Sequence, residues 1–559
     1  MLCPYCSAEN AEGEVFCTEC GRPLIKQEKK KKELNREKYR TEGSAVYYLS
    51  NNSITTVDEL KDVVCFPDVQ QFVNGKFDLI FYNLQGISLS DYIKQNSEIK
   101  GTEIRVLGER MLSIFNKVQQ KGLIVGSCDL EDFFLLGSDP EKMMLRAVRP
   151  MISLKETSLP SGYKCGEFAA PEIRNEDKDR IKKNSDVYLA AMILNRIMIG
   201  EKYIAGDVDN QLFWAYNYTN AAFGRRYRKY HHWLGKCLSM FPGKRERDME
   251  ACMKSFVKCS NMDASQGSSG LSISDALETN VGSGKKAVMQ SAGRDKAEWN
   301  EDVIEKWENT EKGFIAYLLA DGISNCDIGS GYIASNIIRK NFIHVMEEHI
   351  NENFDDLTYD LVEQMAYQIV DLSNADIWEE AVKFKESSGS IMGSTLIFLV
   401  IYEGGFYYYS LGDSLLYLIR DGNMIPLNSP DNVGFLALQN GKSYAEYRKM
   451  EGKDNIAIYV GGDYARNRSR YYKERSVETI ALKAGDIIIA SSDGVLDYYG
   501  TKISDTKWEK EDALAQKLGE RKRTLQQRAK AIIQRDNRNG GGDNLSVILI
   551  EVEGGKDNE

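Results

Sequence analysis

The 559-residue chain has no apolar run near the roughly 18 residues that a membrane-spanning helix requires, so no membrane span is expected. Its opening residues, MLCPYCSAEN, have neither the basic flank nor the apolar core of a signal peptide. Basic residues are not in excess: 72 Lys and Arg stand against 83 Asp and Glu, a net charge of −11. Binding to nucleic acid needs basic surface that displaces counterions, so that class of partner is excluded. There is no disulfide framework. Four of the eleven cysteines fall in one pattern, and the other seven (Cys65, Cys128, Cys165, Cys237, Cys252, Cys259, Cys326) are scattered. An odd, unpatterned remainder suits a reducing cytoplasm. Histidine is scarce, with four residues. His344 and His349 are five apart, off a shared helix face, and His231-His232 reads as packing near Trp233, so none is expected to bind a metal. No internal repeat is visible.

What is present is a soluble globular composition, 42% hydrophobic and 28% charged, on a chain too long for one core. Three or four domains are expected. Residues 1–24 form a compact cysteine module. Residues 25–42, with the run KQEKKKKELNREKYR, read as a solvated helical linker. Residues 43–258 carry long helical patterns such as EIRVLGERMLSIFNKVQQ. Residues 259–284 are rich in Ser, Gly and Asn and read as a flexible linker. From 285 to 559 strand-like runs dominate: GFIAYLLA, STLIFLVIY, GFYYYSLG, DIIIASS and LSVILIEV.

In the first module, Cys3 and Cys6, then Cys17 and Cys20, make two C-x-x-C pairs separated by ten residues. Each pair turns two thiolates toward one point, and two pairs close a tetrahedral zinc site. Four ligands leave no open position, so one structural Zn²⁺ is expected. The module resembles the short zinc ribbons of bacterial multi-domain proteins.

In the middle region several segments resemble the C-terminal lobe of protein kinases. These are FDLIFYNLQGISLSDYI (77–93), KGLIVGSCDLEDFFLL (121–136), EFAAPE (167–172) and SDVYLAAMILNRIMIGEKY (185–203). Asp186 matches the family's buried aspartate, and Glu172 with Arg245 matches its structural ion pair. The chemistry that phosphoryl transfer needs is missing. Ser127 stands at the catalytic Asp position and Asp132 at the Asn position. LRAVRP (145–150) replaces the Asp-Phe-Gly stretch, and no Gly-rich loop precedes the hinge. The resemblance implies a mainly α kinase-like C-lobe with a truncated N-lobe: a pseudokinase that regulates or recruits.

Four aspartates in the last region sit at the edges of apolar strands, in NEDV (300–303), LLADGIS (318–324), IIIASSDGVLD (487–497) and GGDNLSVILIEV (541–552). Clustered carboxylates at strand ends can hold two hard divalent cations close together. With GST (393–395) and GDS (412–414), these motifs occur in the order found in the PP2C (PPM) family of Ser/Thr phosphatases, whose bacterial branch 285–554 resembles. The resemblance implies an α/β fold, a β-sandwich flanked by helices. It also implies two Mg²⁺ or Mn²⁺ ions that activate a water. Asp321 would bridge them with the Gly322 carbonyl on one, Asp493 and Asp543 would complete the first site, and Glu301 and Asp302 would hold the second. Asp321, Asp493 and Asp543 form the catalytic core, and Asn544 would orient the last ligand.

Three departures stand out. Ile323 follows Asp-Gly and offers no proton. Ala297 or Lys296 falls where the family's phosphate-binding Arg is expected, leaving Arg294 as the nearest candidate. The third-metal aspartate before GST is absent. Asp413 reads as a turn residue and Asp497 as a helix start. VGSGKK (281–286) hints at a phosphate loop but ends in Lys-Lys and lacks the first glycine at the right spacing, so it is set aside.

The expectation is a cytoplasmic protein Ser/Thr phosphatase acting on phosphoserine and phosphothreonine proteins, with a Ser/Thr kinase as a possible partner. The alternative is a signalling scaffold whose two large modules have both lost chemistry. A nucleotide-transfer activity in the middle region is disfavoured by the missing lysine and aspartate.

Overall fold

The structure is a computed structural model. It describes residues 36–41, 59–199, 227–262, 271–461, 475–500 and 507–554, with short interruptions at 74–75, 83–85, 97–98, within 156–164, and at 293–295, 353–356, 385–388 and within 441–443. Cys3, Cys6, Cys17, Cys20 and Arg294 lie outside the described residues.

Two five-stranded antiparallel sheets form the C-terminal module. Nine of the strands are β2 (Asp302–Asn309), β3 (Phe314–Asp321), β4 (Leu396–Tyr402), β5 (Gly405–Leu411), β6 (Leu415–Arg420), β7 (Asn423–Pro426), β8 (Glu478–Ala481), β9 (Ile487–Ser491) and β10 (Asn544–Glu553). The remaining one, β1, is Ser272–Val281. One sheet runs β1-β10-β9-β6-β7 and the other β2-β3-β4-β5-β8. The period-2 alternation of strand side chains divides the core into layers. On β4, Ile397, Leu399 and Ile401 join the layer between the sheets, whereas Leu396, Phe398 and Val400 pack under helices.

β1 corrects the expectation of a flexible linker over 259–284. Ser272–Val281 pairs along its whole length with Glu553–Asn544. SISDALETNV was read as linker because an edge strand buries little and is rich in polar residues. The charged linker over 25–42 is corrected in the same way. Arg36–Thr41 is a strand paired antiparallel with Phe77–Tyr82, in a three-stranded sheet with Val69–Val73.

The middle region is mostly helical. Its main helices are α1 (Gly101–Gln120), α2 (Lys183–Ile199), α3 (His231–Cys237) and α4 (Met249–Ser260). α1 presents Ile104, Leu107, Met111, Leu112, Phe115 and Val118 at helical spacing, and all are fully buried. Around the loop that follows, the Asp186 carboxylate accepts hydrogen bonds from the Val125 and Gly126 amides, both at 2.8 Å. Glu172 and Arg245 form a buried two-pronged ion pair at 2.6 and 3.0 Å. Arg149 reaches both Asp129 and Asp132.

The main described helices of the C-terminal module are α5 (Ser283–Ser291), α6 (Gly331–Met346), α7 (Tyr359–Val382), α8 (Asp493–Tyr498), α9 (Lys507–Gly519) and α10 (Leu525–Arg538). α6 and α7 cover one sheet; α8, α9 and α10 cover the other.

The histidine pair expected to pack near Trp233 instead joins the two modules. His231 Nε2 lies 3.0 Å from Glu511 of α9, a carboxylate that also accepts from Tyr417 Oη of β6. His232 Nδ1 accepts from the Met424 amide of β7 at 3.2 Å, and its Nε2 lies 3.1 Å from Asp512. An added Cβ at Gly235 would sit 1.9 Å from Trp508 Cδ1, so α3 packs directly against α9. The buried side chains of the helical region and of the inter-sheet layer form one connected cluster.

Asp536, near the end of α10, is fully buried with neither carboxylate oxygen hydrogen-bonded. Burial pushes its pKa up to about 8. The folded state therefore keeps a proton that the unfolded chain releases near the ordinary aspartate value, and stability falls as pH rises between about 4 and 8. Asp536→Asn is expected to lose this dependence. Its melting temperature, measured by differential scanning fluorimetry, should exceed that of the wild type by a margin that grows from pH 5 to pH 9.

Candidate active site

The four motif aspartates converge at one edge of the sandwich because antiparallel pairing puts their strand ends side by side. Asp302 opens β2 and Asp321 closes β3, and the two are direct register partners. Asp493 opens α8 immediately after β9, and Asp543 immediately precedes β10, the neighbour of β9.

Short hydrogen bonds fix each segment. The Asp321 amide donates to Thr395 Oγ1 at 2.9 Å, and the Asp321 carbonyl accepts from the Thr395 amide and Ser394 Oγ, both at 2.8 Å. The GST motif therefore clamps the end of β3. Ser492 and Ser546 exchange bonds, amide to carbonyl at 3.1 Å and amide to Oγ at 3.0 Å, which ties the start of α8 to β10. Asn544 Oδ1 accepts from the Glu301 amide at 3.2 Å, and Asn544 Nδ2 donates to the Trp299 carbonyl at 2.9 Å. Its own amide donates to Asp543 Oδ1 at 2.8 Å. The Asn544 side chain thus acts on the Glu301 segment, and its backbone acts on Asp543. Gly322 is required by crowding: an added Cβ would lie 2.4 Å from the Gly331 carbonyl oxygen and 2.6 Å from that of Glu301.

The electrostatics are those of a crowded anionic cluster. Burial, then the charges of Asp302, Asp493, Asp543 and Asp413, push Asp321 well above the usual carboxylate range. Burial, then Asp413, Asp497 and Asp543, do the same to Asp493. Burial raises Asp302 to about 6. Asp497 was expected at a helix start. The α8 N-cap is Ser492, and Asp497 lies in the last turn, where it adds to this field. Asp413 does so as well, from the turn after β5.

Lys285 is the cation within this cluster, and sequence reasoning missed it. Its ammonium lies 3.0 Å from Glu301 Oε2, 3.0 Å from Asp543 Oδ1 and 2.9 Å from Ser324 Oγ. Burial alone would lower its pKa, but Asp543 and Glu301 more than offset that and hold it above the ordinary lysine value. The available signal was VGSGKK, the motif set aside as a failed phosphate loop.

Among the described residues, no three His, Cys, Asp or Glu side chains are already closed around one point. The donor set nevertheless fits hard divalent cations. Both Asp302 oxygens are buried without a hydrogen-bond partner, and the mutual repulsion of the carboxylates is the charge that such ions neutralise.

Residues 290–532 match the family model described as protein phosphatase 2C. The C-terminal module is a protein phosphatase 2C domain. Residues 2–24 match a zinc-ribbon domain model. A putative protein phosphatase 2C-type protein of Streptococcus pyogenes is 24% identical over 257 residues, 45% of this chain and 92% of the relative. The serine/threonine phosphatase stp of Listeria innocua is 23% identical over 252 residues, 45% of this chain and 90% of the relative. The solved serine/threonine phosphatase of S. agalactiae is 21% identical, covering 50% of this chain and 100% of that one, with a TM-score of 0.38. The matched stretch of the family model begins after Lys285 and ends before Asp543. Both residues are brought to the site by the pairing of β1 with β10.

Asn544 is 2% exposed, so removing its side chain takes a hydrogen-bond partner from the Glu301 amide and from the Trp299 carbonyl. Asn544→Ala is expected to lower the unfolding free energy of the phosphatase domain by about 1–3 kcal/mol, read from the urea midpoint.

Proposed function

We propose that this chain removes phosphate from phosphoserine and phosphothreonine residues of proteins. The carrying observation is the convergence of Asp302, Asp321, Asp493 and Asp543 at one sheet edge, within a domain matched to protein phosphatase 2C. The relatives named as serine/threonine phosphatases support this choice of substrate.

Asp321 would lie between two Mg²⁺ or Mn²⁺ ions, with the Gly322 carbonyl beside it. Asp493 and Asp543 would complete one site, and Glu301 and Asp302 the other. When bound, such ions make a water nucleophilic at neutral pH and neutralise charge on the phosphoryl oxygens. The chain's own contribution is placement. GST fixes Asp321, Asn544 fixes the Glu301 segment, and the Ser492–Ser546 pair fixes the start of α8. Ile323 carries no transferable proton, so protonation of the leaving alkoxide would fall to water or another group. A single structural Zn²⁺ held by Cys3, Cys6, Cys17 and Cys20 fits the ribbon match at 2–24.

The middle module is read as a pseudokinase that regulates the phosphatase or recruits phosphoproteins, with a Ser/Thr kinase as a candidate partner. The Asp186 contacts and the Glu172–Arg245 pair support the kinase-like reading. Its cleft is not arranged for phosphoryl transfer. Ser127 Oγ accepts from the Gly166 amide at 2.7 Å, and Arg149 sits on Asp129 and Asp132. A cytoplasmic location is the setting proposed for this activity. No described helix is long and apolar enough to cross a membrane.

The test is turnover of p-nitrophenyl phosphate and a phosphothreonine peptide by the full chain with Mn²⁺. Activity should vanish with EDTA, and in Asp493→Asn it should fall by at least about a hundredfold while the thermal melt stays cooperative. An inactive wild-type protein favours the scaffold reading.

A further inference from the structure

The Gly-Ser-Gly-Lys segment after β1 lies against the loop that presents Asp543. The Gly282 amide donates to the Asp543 carbonyl at 2.9 Å, the Gly284 amide to the Gly541 carbonyl at 2.9 Å, and the Lys285 amide to the same carbonyl at 3.1 Å. The two glycines are there for room. An added Cβ at Gly282 would lie 2.2 Å from both the Asp543 and the Gly541 carbonyl oxygens, and one at Gly284 would lie 2.6 Å from that of Gly540. Backbone oxygens cannot swing aside as side chains do. The segment is therefore laid directly on Gly540–Asp543, and Lys285, in the first turn of α5, is aimed into the cluster.

There its side chain is 7% exposed and its ammonium has three hydrogen-bond partners, Glu301, Asp543 and Ser324, which match its three donor hydrogens. Ser324 Oγ in turn donates to Glu301 Oε2. Glu301 and Asp543 are carboxylates from the two halves of the expected metal set, joined here by one side-chain cation.

We propose that Lys285 is a resident counter-cation. It holds Glu301 and Asp543 in place in the metal-free enzyme, and it sets the affinity of the site for divalent metal by competing for those carboxylates. It is a positioning residue. The inference rests on the phosphatase reading of the site. A divalent ion that engages Glu301 and Asp543 must displace the ammonium or share its ligands, so part of the binding energy is spent against the lysine. Opposite unit charges in direct contact in a partly buried site attract strongly enough to move a dissociation constant by about tenfold or more.

The experiment is calorimetric titration of the full-length, metal-stripped protein with Mn²⁺ alone, with no substrate present. Lys285→Met and Lys285→Gln remove the charge, and Lys285→Arg keeps it. Both neutral variants should bind Mn²⁺ at least about tenfold more tightly than wild type, and the arginine variant should stay within about threefold of it. The neutral variants should also melt at a lower temperature than wild type without metal and recover when Mn²⁺ is added. Neutral variants that bind Mn²⁺ with wild-type or weaker affinity overturn the inference while leaving the phosphatase reading intact. A wild-type protein that binds no Mn²⁺ overturns the two-metal reading itself, and this inference with it. The paired neutral variants guard against one of them failing to fold.

Discussion

The structure depends on one unfavourable interaction, the mutual repulsion of carboxylates gathered at one edge of the sandwich. Burial raises the energy of the charged forms of Asp302, Asp321 and Asp493, and the charges of Asp302 and Asp543 add to that penalty at both Asp321 and Asp493. No chain gathers such groups for stability. The surrounding apolar layers hold them there: Ile397, Leu399 and Ile401 between the sheets, and Leu318, Phe398 and Val400 beneath α6 and α7. Clamps of neutral hydrogen bonds (Thr395 and Ser394 on Asp321, Asn544 on Glu301) then restrict the strand ends, so that relaxation by splaying apart is blocked.

The same logic links the helical module to the site. α3 packs on the β6–β7 hairpin and on α9, where Glu511 takes contacts from both His231 and Tyr417. α9 lies beside α8, the helix that begins with Asp493, and both are packed on the same face of the β1-β10-β9-β6-β7 sheet. A rigid-body shift of the helical module would therefore be felt first at α9 and next at α8. The contact sets two buried imidazoles against the carboxylates of Glu511 and Asp512, and its rupture would take a hydrogen-bond partner from buried Glu511.

Much of the site was legible in the sequence because its aspartates end apolar runs. Asp321 closes GFIAYLLAD and Asp493 follows DIIIASS, and a carboxylate at the end of a buried strand is a signal that needs no partner to be read. What escaped depends on partners remote in the chain. Lys285 is unremarkable until β1 pairs with β10 and lays it against Asp543. β1 itself is an edge strand, and Ser, Asp, Glu and Thr on its half-solvated face mimic a linker. The Arg36–Thr41 strand was hidden in a run of charged helix formers, where pairing with Lys76–Tyr82 overrides local propensity. His231 and His232 were read against their neighbour Trp233, whereas their partners are Glu511, Asp512 and Met424 in another module.

The two large modules solve the same problem in opposite ways. In the helical module, Arg149 lies across Asp129 and Asp132, one nitrogen to each carboxylate. A guanidinium stays charged at any accessible pH, and its planar fork loses little entropy on being fixed, so that cation is a lasting tie between the two carboxylates. In the phosphatase domain the corresponding charge is an ammonium, a compact ion on a flexible four-carbon stem, which makes point contacts and can withdraw along that stem. Asp543, one of its two carboxylate partners, remains about half exposed, so there is an open side from which another cation can approach. A site stoppered by arginine is a structural element. A site balanced by lysine remains open to exchange, and for that reason the phosphatase domain, rather than its helical neighbour, is the part of this chain equipped for metal-dependent chemistry.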